Sequence, residues 1–117
     1  MPITNLIERI KSVLKPKQLC YDSVSARYFK TDKDSLIRKI RTFESMEYTT
    51  ENGYSDIISL NEFYGKIGLP TIEIGDKLGW NLEKHIPEFD IFYSYLSDSH
   101  VKKPCLVLFY EVSDLED

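Results

Sequence analysis

The stretch from Ile58 to Pro70 constrains the fold more than any other part of the chain, because it marks both ends of a short helix. Ser59 followed by Glu62 has the spacing of a capping box, in which the serine hydroxyl accepts a hydrogen bond from the Glu62 backbone N–H. Gly68 favours the left-handed residue that ends a helix, and the proline blocks continuation. The sequence therefore predicts a helix that begins after Ser59 and ends before Gly68.

Three further short helices are predicted from capping residues and apolar spacing. They cover residues 4–15, residues 32–46 with Asp32 or Asp34 as the cap, and residues 71–79. The third would deliver Trp80 to the core directly after a stop at Gly79. The first carries an apolar stripe that favours packing on the domain, with a homodimer through this helix as the alternative; the stripe consists of Leu6, Ile7, Ile10, Val13 and Leu14.

The last third of the chain predicts an antiparallel β-hairpin. Residues 89–96 alternate in a way typical of a strand with aromatic side chains on both faces. Residues 105–112 form an almost unbroken apolar run, which indicates a covered strand with Pro104 at its first position. Residues 113–117 are predicted to be a frayed acidic tail.

Two segments leave alternatives open. Residues 18–30 fit either a short strand or an extended connector, and residues 46–56 fit a turn-rich link in which a small hairpin can form. The length of 117 residues favours one domain spanning residues 1–117. We therefore expect an α+β fold in which short helices pack on a C-terminal antiparallel β-hairpin or small sheet.

Three motifs follow one another in residues 59–110: S-L-N-E-F-Y-G-K-I-G-L-P, then I-G-D-K-L-G-W, then P-C-L-V-L-F-Y. This pattern resembles a largely uncharacterised domain of phage and mobile-element proteins, and the resemblance covers roughly residues 54–112. In longer proteins that domain often lies at the C-terminus. The resemblance implies an α+β fold and a phage origin, and it assigns no catalytic residue.

The net charge of −4 conceals an asymmetry along the chain. Residues 1–45 contain ten Lys or Arg against five Asp or Glu, which gives +5. Residues 46–117 contain five against fourteen, which gives −9. The acidic part is therefore expected to meet a basic partner through electrostatic steering, or to be an ordinary solvated surface.

The reactive side chains form no recognisable catalytic motif. His85 lacks the spacing of a zinc site, and the glycines do not form a phosphate loop. Asp90 and Glu111 are a candidate carboxylate pair, although strand carboxylates more often face water. Cys20 and Cys105 are far apart in sequence, and Cys105 is expected to be a buried apolar residue. We expect no enzyme activity, cofactor or metal, no membrane span, and a cytoplasmic protein with reduced thiols.

These observations favour a non-enzymatic protein-binding module of phage or mobile-element origin. By analogy with anti-CRISPR proteins, it would be an acidic inhibitor that occupies the basic nucleic-acid-binding surface of a host CRISPR-type nuclease. The alternative is a virion-associated or accessory phage protein that binds another phage protein. Direct nucleic-acid binding through the basic face of the helix at residues 32–46 is not expected. The predicted partner-binding residues are Glu73, Asp76, Glu83, Glu88, Tyr93 and Tyr95.

Overall fold

The computed structural model describes residues 17–45, 49–50, 53–54, 56–98 and 101–116. The helix and homodimer contact predicted for residues 4–15 lie outside the described residues. Among the described residues, no helix has the length and apolar character needed to cross a membrane.

The chain forms an α+β fold, as the sequence predicts. Within the described residues the elements are, in order, β1 (Gln18–Asp22), β2 (Arg27–Thr31), α1 (Lys33–Ser45), β3 (Thr49–Thr50), β4 (Gly53–Tyr54), β5 (Ile57–Ser59), α2 (Leu60–Ile67), a 3-10 helix (Glu73–Asp76), β6 (Leu78–Asn81), β7 (Asp90–Asp98), β8 (Val101–Phe109) and β9 (Ser113–Asp114).

The strands pair into one four-stranded sheet, one three-stranded sheet and a small hairpin. The four-stranded sheet has the order β2-β1-β8-β7, and the three-stranded sheet has the order β5-β6-β9. The β7–β8 hairpin is antiparallel, as predicted, whereas β1 runs parallel to β8. Residues 18–30 therefore form two strands of the main sheet, and β3 pairs with β4 in the segment where a small hairpin was an open alternative.

The capping signals of both helices are confirmed. The Glu62 N–H donates to Ser59 Oγ over 3.1 Å, at the start of α2. Gly68 ends that helix with φ of 83°, in the left-handed region, and its N–H donates to the Tyr64 carbonyl. Asp32 caps α1, since its Oδ2 accepts a hydrogen bond of 3.1 Å from the Ser35 N–H. Short-range hydrogen bonds of this kind can be read directly from sequence spacing.

The helix predicted for residues 71–79 is wrong in extent. A 3-10 helix occupies Glu73–Asp76, and Gly79 and Trp80 belong to β6. Asn61 holds the approach to this turn, because its Oδ1 accepts from the Ile72 N–H and its Nδ2 donates to the Ile72 carbonyl, both over 2.9 Å. Gly79 is required in β6 because a Cβ there would lie 2.0 Å from the Ile58 carbonyl oxygen. The burial of Trp80 is confirmed.

Two predictions about strand ends are also wrong. Pro104 lies inside β8, opposite Tyr95, rather than at the first position of the strand. The parallel partner β1 begins its pairing at Leu106, so the proline lies outside that ladder. The acidic tail is not frayed at its start, because Ser113 and Asp114 form β9, which pairs with β6. The Leu115 N–H also donates to the Lys77 carbonyl over 2.8 Å.

The core lies between the inner face of the four-stranded sheet and the two helices. Its centre is an aromatic cluster with ring centroids 4.8–6.0 Å apart, formed by Phe43, Phe63, Trp80, Phe89 and Tyr110. Edge-to-face and tilted contacts at these distances add stabilisation beyond simple burial. The cluster joins both helices to both sheets.

We expect Gly79→Ala to destabilise the protein by about 3 kcal/mol or more, because the new methyl group overlaps the backbone of β5. Gly65→Ala is the matched control, since a Cβ at this helical position meets no atom within 4 Å. The control should stabilise the protein by about 0.5–1 kcal/mol. Urea denaturation of both variants measures the difference, and equal midpoints would contradict the close approach at Gly79.

We expect Ser59→Ala to lower the free energy of unfolding by about 1 kcal/mol, because the Glu62 N–H loses its acceptor. Ser59→Asp should recover most of the loss, since aspartate also caps helices and suits the helix dipole. If the alanine variant kept the wild-type denaturation midpoint, the cap would not contribute to stability.

Candidate partner-binding cleft

A cleft of about 310 Å³ opens where the end of β6 meets the beginning of β7 and the end of β8. We call it the acidic cleft. It is lined by Trp80, His85, Ile86, Glu88, Asp90, Phe109, Tyr110, Glu111, Val112 and Ser113. This volume is at the small end of the range found for ligand sites, which suits a single side chain of a partner.

Local backbone contacts hold one wall of the acidic cleft. Asn81 ends β6, and its carbonyl accepts from the N–H groups of Lys84 and His85 over 2.9 and 2.8 Å. Its side-chain Oδ1 also accepts from the Glu83 N–H over 3.1 Å. These bonds fold residues 81–85 into a turn, which places His85 at the cleft.

Three exposed carboxylates line the acidic cleft. Glu88 and Asp90 lie at the start of β7, and Glu111 follows the end of β8. The antiparallel register places Asp90 opposite Phe109, so the two strand ends bring these carboxylates to one region. Like charges at short range create a negative potential that favours a cationic ligand. Within the described residues, no group of three His, Cys, Asp or Glu is arranged to hold a metal ion.

Aromatic side chains provide the apolar part of the acidic cleft. The Trp80 and Tyr110 rings are stacked, with centroids 6.0 Å apart and an interplanar angle of 30°. Both residues are largely buried, whereas Ile86 and Phe109 are exposed. A cationic side chain entering here would meet the carboxylates and the exposed Phe109 ring together, an arrangement that suits a guanidinium group.

A buried carboxylate holds Tyr110 in place. Tyr110 donates its hydroxyl to Asp22 Oδ1 over 2.5 Å, while Tyr64 donates to Asp22 Oδ2 over 2.6 Å. Ser25 donates to the same Oδ2 through its hydroxyl and its backbone N–H, over 2.6 and 3.0 Å. We call Asp22, Ser25, Tyr64 and Tyr110 the Asp22 network. Asp22 is fully buried, so these donors replace the water that its carboxylate would otherwise need.

An arginine completes the surroundings of the Asp22 network. The Arg27 Nε donates to Ser25 Oγ over 2.9 Å, and its guanidinium carbon lies 4.9 Å from the centre of the Tyr64 ring. Its Nη1 donates to the Pro70 carbonyl over 2.8 Å. The cation is therefore fixed close to the buried carboxylate without a direct ion pair between them among the described contacts.

The buried tyrosines are held in their neutral form. Burial raises the pKa of the Tyr110 hydroxyl well above its ordinary value, and the charge of Asp22 adds to this effect. Burial likewise raises the pKa of Tyr64, with its hydrogen bond to Asp22 as the next cause. A phenol that donates to a carboxylate can lose its proton only by creating a second buried negative charge. Both hydroxyls therefore act as hydrogen-bond donors rather than as acids.

The structure distributes the six predicted partner-binding residues over several elements. Glu88 lines the acidic cleft, and Glu83 lies exposed in the turn beside it. Glu73 and Asp76 lie on the 3-10 helix, where Asp76 Oδ1 accepts from Asn61 Nδ2 over 3.1 Å. Tyr93 and Tyr95 lie on β7, the edge strand of the main sheet. They are on the same side of the sheet as the core, but both side chains are exposed.

Sequence reasoning did not identify the Asp22 network. Asp22 lies 42 residues from Tyr64 and 88 residues from Tyr110, so no local spacing relates them. The candidate carboxylate pair, Asp90 and Glu111, is present in the acidic cleft, although Glu111 lies beyond the end of β8. For the Asp22 network, the signal available in the sequence was the alternation along β1, which places Asp22 on the same face as the buried Cys20.

We expect the free energy of unfolding to fall as the pH rises above about 10, the ordinary tyrosine pKa. The unfolded chain then releases protons that the folded Tyr64 and Tyr110 retain, so stability present below this pH is lost above it. Tyr110→Phe should make this fall less steep by up to ~1.4 kcal/mol per pH unit. Denaturant titrations from neutral pH to above pH 10 measure the slope. Tyr95→Phe, at an exposed phenol, is the control, and an equal effect of both substitutions would contradict the buried role of Tyr110.

A family of unknown function, DUF6353, matches residues 3–117. This match is longer than the resemblance noted for residues 54–112, and it includes β1 and therefore Asp22. No curated protein and no solved structure shows significant similarity to the chain. Because the family model spans almost the whole chain, the protein belongs to the DUF6353 family of unknown function.

Proposed function

We propose that this protein is a non-enzymatic protein-binding module, and that its acidic cleft receives a basic side chain from the partner. The observation that carries the proposal is the placement of Glu88, Asp90 and Glu111 around one cleft together with the exposed ring of Phe109. Carboxylates supply charge-assisted hydrogen bonds, and ring faces supply the surface on which a guanidinium group stacks.

The surroundings of the acidic cleft support a protein partner. Ile86 and Phe109 are 64% and 50% exposed at the cleft, although both are large apolar side chains. Apolar side chains beside a charged pocket are typical of contact surfaces, where they exclude water from the central interaction. The excess of nine negative charges in residues 46–117 would also accelerate the approach of a basic partner.

The class of partner we propose is a protein with a basic nucleic-acid-binding surface. Its arginines and lysines, which otherwise hold phosphates, would pair with the carboxylates of the acidic cleft. Occupying such a surface would make the module an inhibitor. A host CRISPR-type nuclease is the partner suggested by the resemblance to phage proteins. The corresponding compartment is the host cytoplasm, which agrees with the free, buried thiols of Cys20 and Cys105.

We expect an arginine analogue, N-acetyl-arginine amide, to bind at the acidic cleft with a dissociation constant in the millimolar range. Trp80 is the single tryptophan, so its indole N–H resonance and its fluorescence report directly on the cleft floor. Glu88→Lys combined with Glu111→Lys should abolish the saturable change, since two of the three carboxylates become cations. The analogue N-acetyl-norleucine amide, which lacks the charge, should not bind.

The control is Glu73→Lys combined with Glu83→Lys, which changes the net charge by the same amount outside the lining of the cleft. Asp76 is left intact because it accepts a hydrogen bond from Asn61. Equal loss of binding in both double variants would show that general charge, and not the acidic cleft, attracts the ligand. That outcome would instead support the wider acidic surface predicted from sequence.

Affinity purification with the wild type and both double variants then identifies the partner. A nuclease that is retained by the wild type and lost with the cleft variant would support the inhibitor. Association with that nuclease should also slow as the salt concentration rises, because exposed charges are screened. Retention of virion components would identify the protein as an accessory phage protein.

A further inference from the structure

The outer face of the four-stranded sheet carries a row of four apolar side chains, three of them aromatic, at right angles to the strands. Tyr28 of β2 pairs with Tyr21 of β1, Tyr21 pairs with Val107 of β8, and Val107 pairs with Phe92 of β7. These four residues therefore lie side by side, one from each strand. We call them the outer row.

The outer row faces away from the core. Its neighbours along the strands, such as Cys20, Leu106 and Ile91, point to the opposite face, where they pack in the core with α1 and α2. Tyr28 is 54% exposed and Phe92 is 46% exposed. Tyr21 and Val107 between them are half-buried, and Cys105 on the same face is buried, so the exposed part of the row is its two ends. Large aromatic side chains that stay exposed on a sheet indicate a contact surface.

The geometry of the outer row suits flat ligands. The rings of Tyr21 and Tyr28 have their centroids 4.8 Å apart and are inclined at 47°, and about half of the Tyr28 side chain is open to solvent. Phe92 lies two strands from Tyr21, which corresponds to about 10 Å at the usual strand spacing. The two ends of the row can therefore each stack one planar group.

Positive charges lie at one end of the outer face. Lys30 is adjacent to Leu19, which lies beside the outer row on β1. Lys17 and Lys103 are exposed and lie two residues before Leu19 and Cys105 on their chain segments, and therefore on the same face. Asp90 lies at the opposite end of this face. A polyanion would therefore be attracted to the lysine end.

We propose that the outer face binds single-stranded nucleic acid, with bases stacked on Tyr28 and Phe92 and phosphates beside Lys30 and Lys103. Four-stranded sheets use exposed aromatic side chains in this way because every base has a ring face, whatever the sequence. The lysines supply the electrostatic part of the affinity. Asp90 and Phe109 of the acidic cleft lie on the same face, two residues from Phe92 and Val107, so the two sites adjoin. The residues proposed to bind nucleic acid do not line the cleft, and the proposal does not depend on the function proposed for the cleft.

The sequence predicts no direct nucleic-acid binding, because the basic residues that stand out along the chain lie on the face of a single short helix. The outer row exists only when residues 21, 28, 92 and 107 are brought side by side by strand pairing. The lysines are likewise separated along the chain, so no basic run marks them. A contact surface of this kind is a property of the sheet and not of any segment.

The test uses the full chain and a fluorescein-labelled oligo(dT) of about ten nucleotides, with fluorescence anisotropy at about 50 mM salt. We expect micromolar binding that weakens about tenfold in Tyr28→Leu and in Phe92→Leu, because leucine keeps the apolar contact but cannot stack. Lys30→Gln should weaken binding less, and should reduce the slope of log K against log salt by about 0.7. A duplex of the same length should bind more weakly, since its bases are already stacked.

Tyr95→Leu and Lys66→Gln are the matched controls, since both residues are exposed away from the outer face. They should bind the oligonucleotide as the wild type does, and all variants should keep the wild-type melting temperature. Absence of binding by the wild type would overturn the proposal, and so would evidence that a second copy of the chain occupies the outer face. Equal binding of single strand and duplex, or equal effects of the controls, would overturn stacking on the outer row.

Discussion

The buried carboxylate of Asp22 is the interaction on which the arrangement of this protein depends. It receives hydroxyl groups from α2, from the turn after β1 and from the residue that follows β8. A carboxylate without these donors could not remain in the core, because its loss of hydration would cost several kcal/mol. Satisfying it therefore requires Ser25, Tyr64 and Tyr110 to be in place together, which couples the main sheet to the second helix.

The same tyrosine connects this buried network to the surface. The ring of Tyr110 stacks with Trp80 at the acidic cleft, while its hydroxyl donates to Asp22. The cleft floor is consequently rigid, since moving the ring would leave a buried acceptor unsatisfied. A rigid aromatic floor would lower the entropy lost by the protein if a ligand bound at the cleft.

The two ends of the outer face of the main sheet differ in charge, with lysines at one end and Asp90 at the other. The strands β1 and β2 belong to the basic segment, and the acidic residues of the cleft belong to the segment that follows. The parallel pairing of β1 with β8 places these segments next to each other. Lysines thus lie near one end of the outer row, whereas carboxylates collect at the other end of the strands, where β7 begins and β8 ends.

The sequence by itself determined the features whose partners lie within a few residues: the cap at Ser59, the left-handed Gly68, the long hairpin and the α+β class. It narrowed the cap of α1 to Asp32 or Asp34, and the structure selects Asp32. Tertiary structure decided that Gly79 belongs to a strand, because the constraint is the backbone of β5, about twenty residues earlier in the chain. It also decided the Asp22 network, the floor of the acidic cleft and the outer row. Their members are distant in sequence, and only chain folding, driven mainly by apolar burial, brings them within hydrogen-bonding or stacking distance.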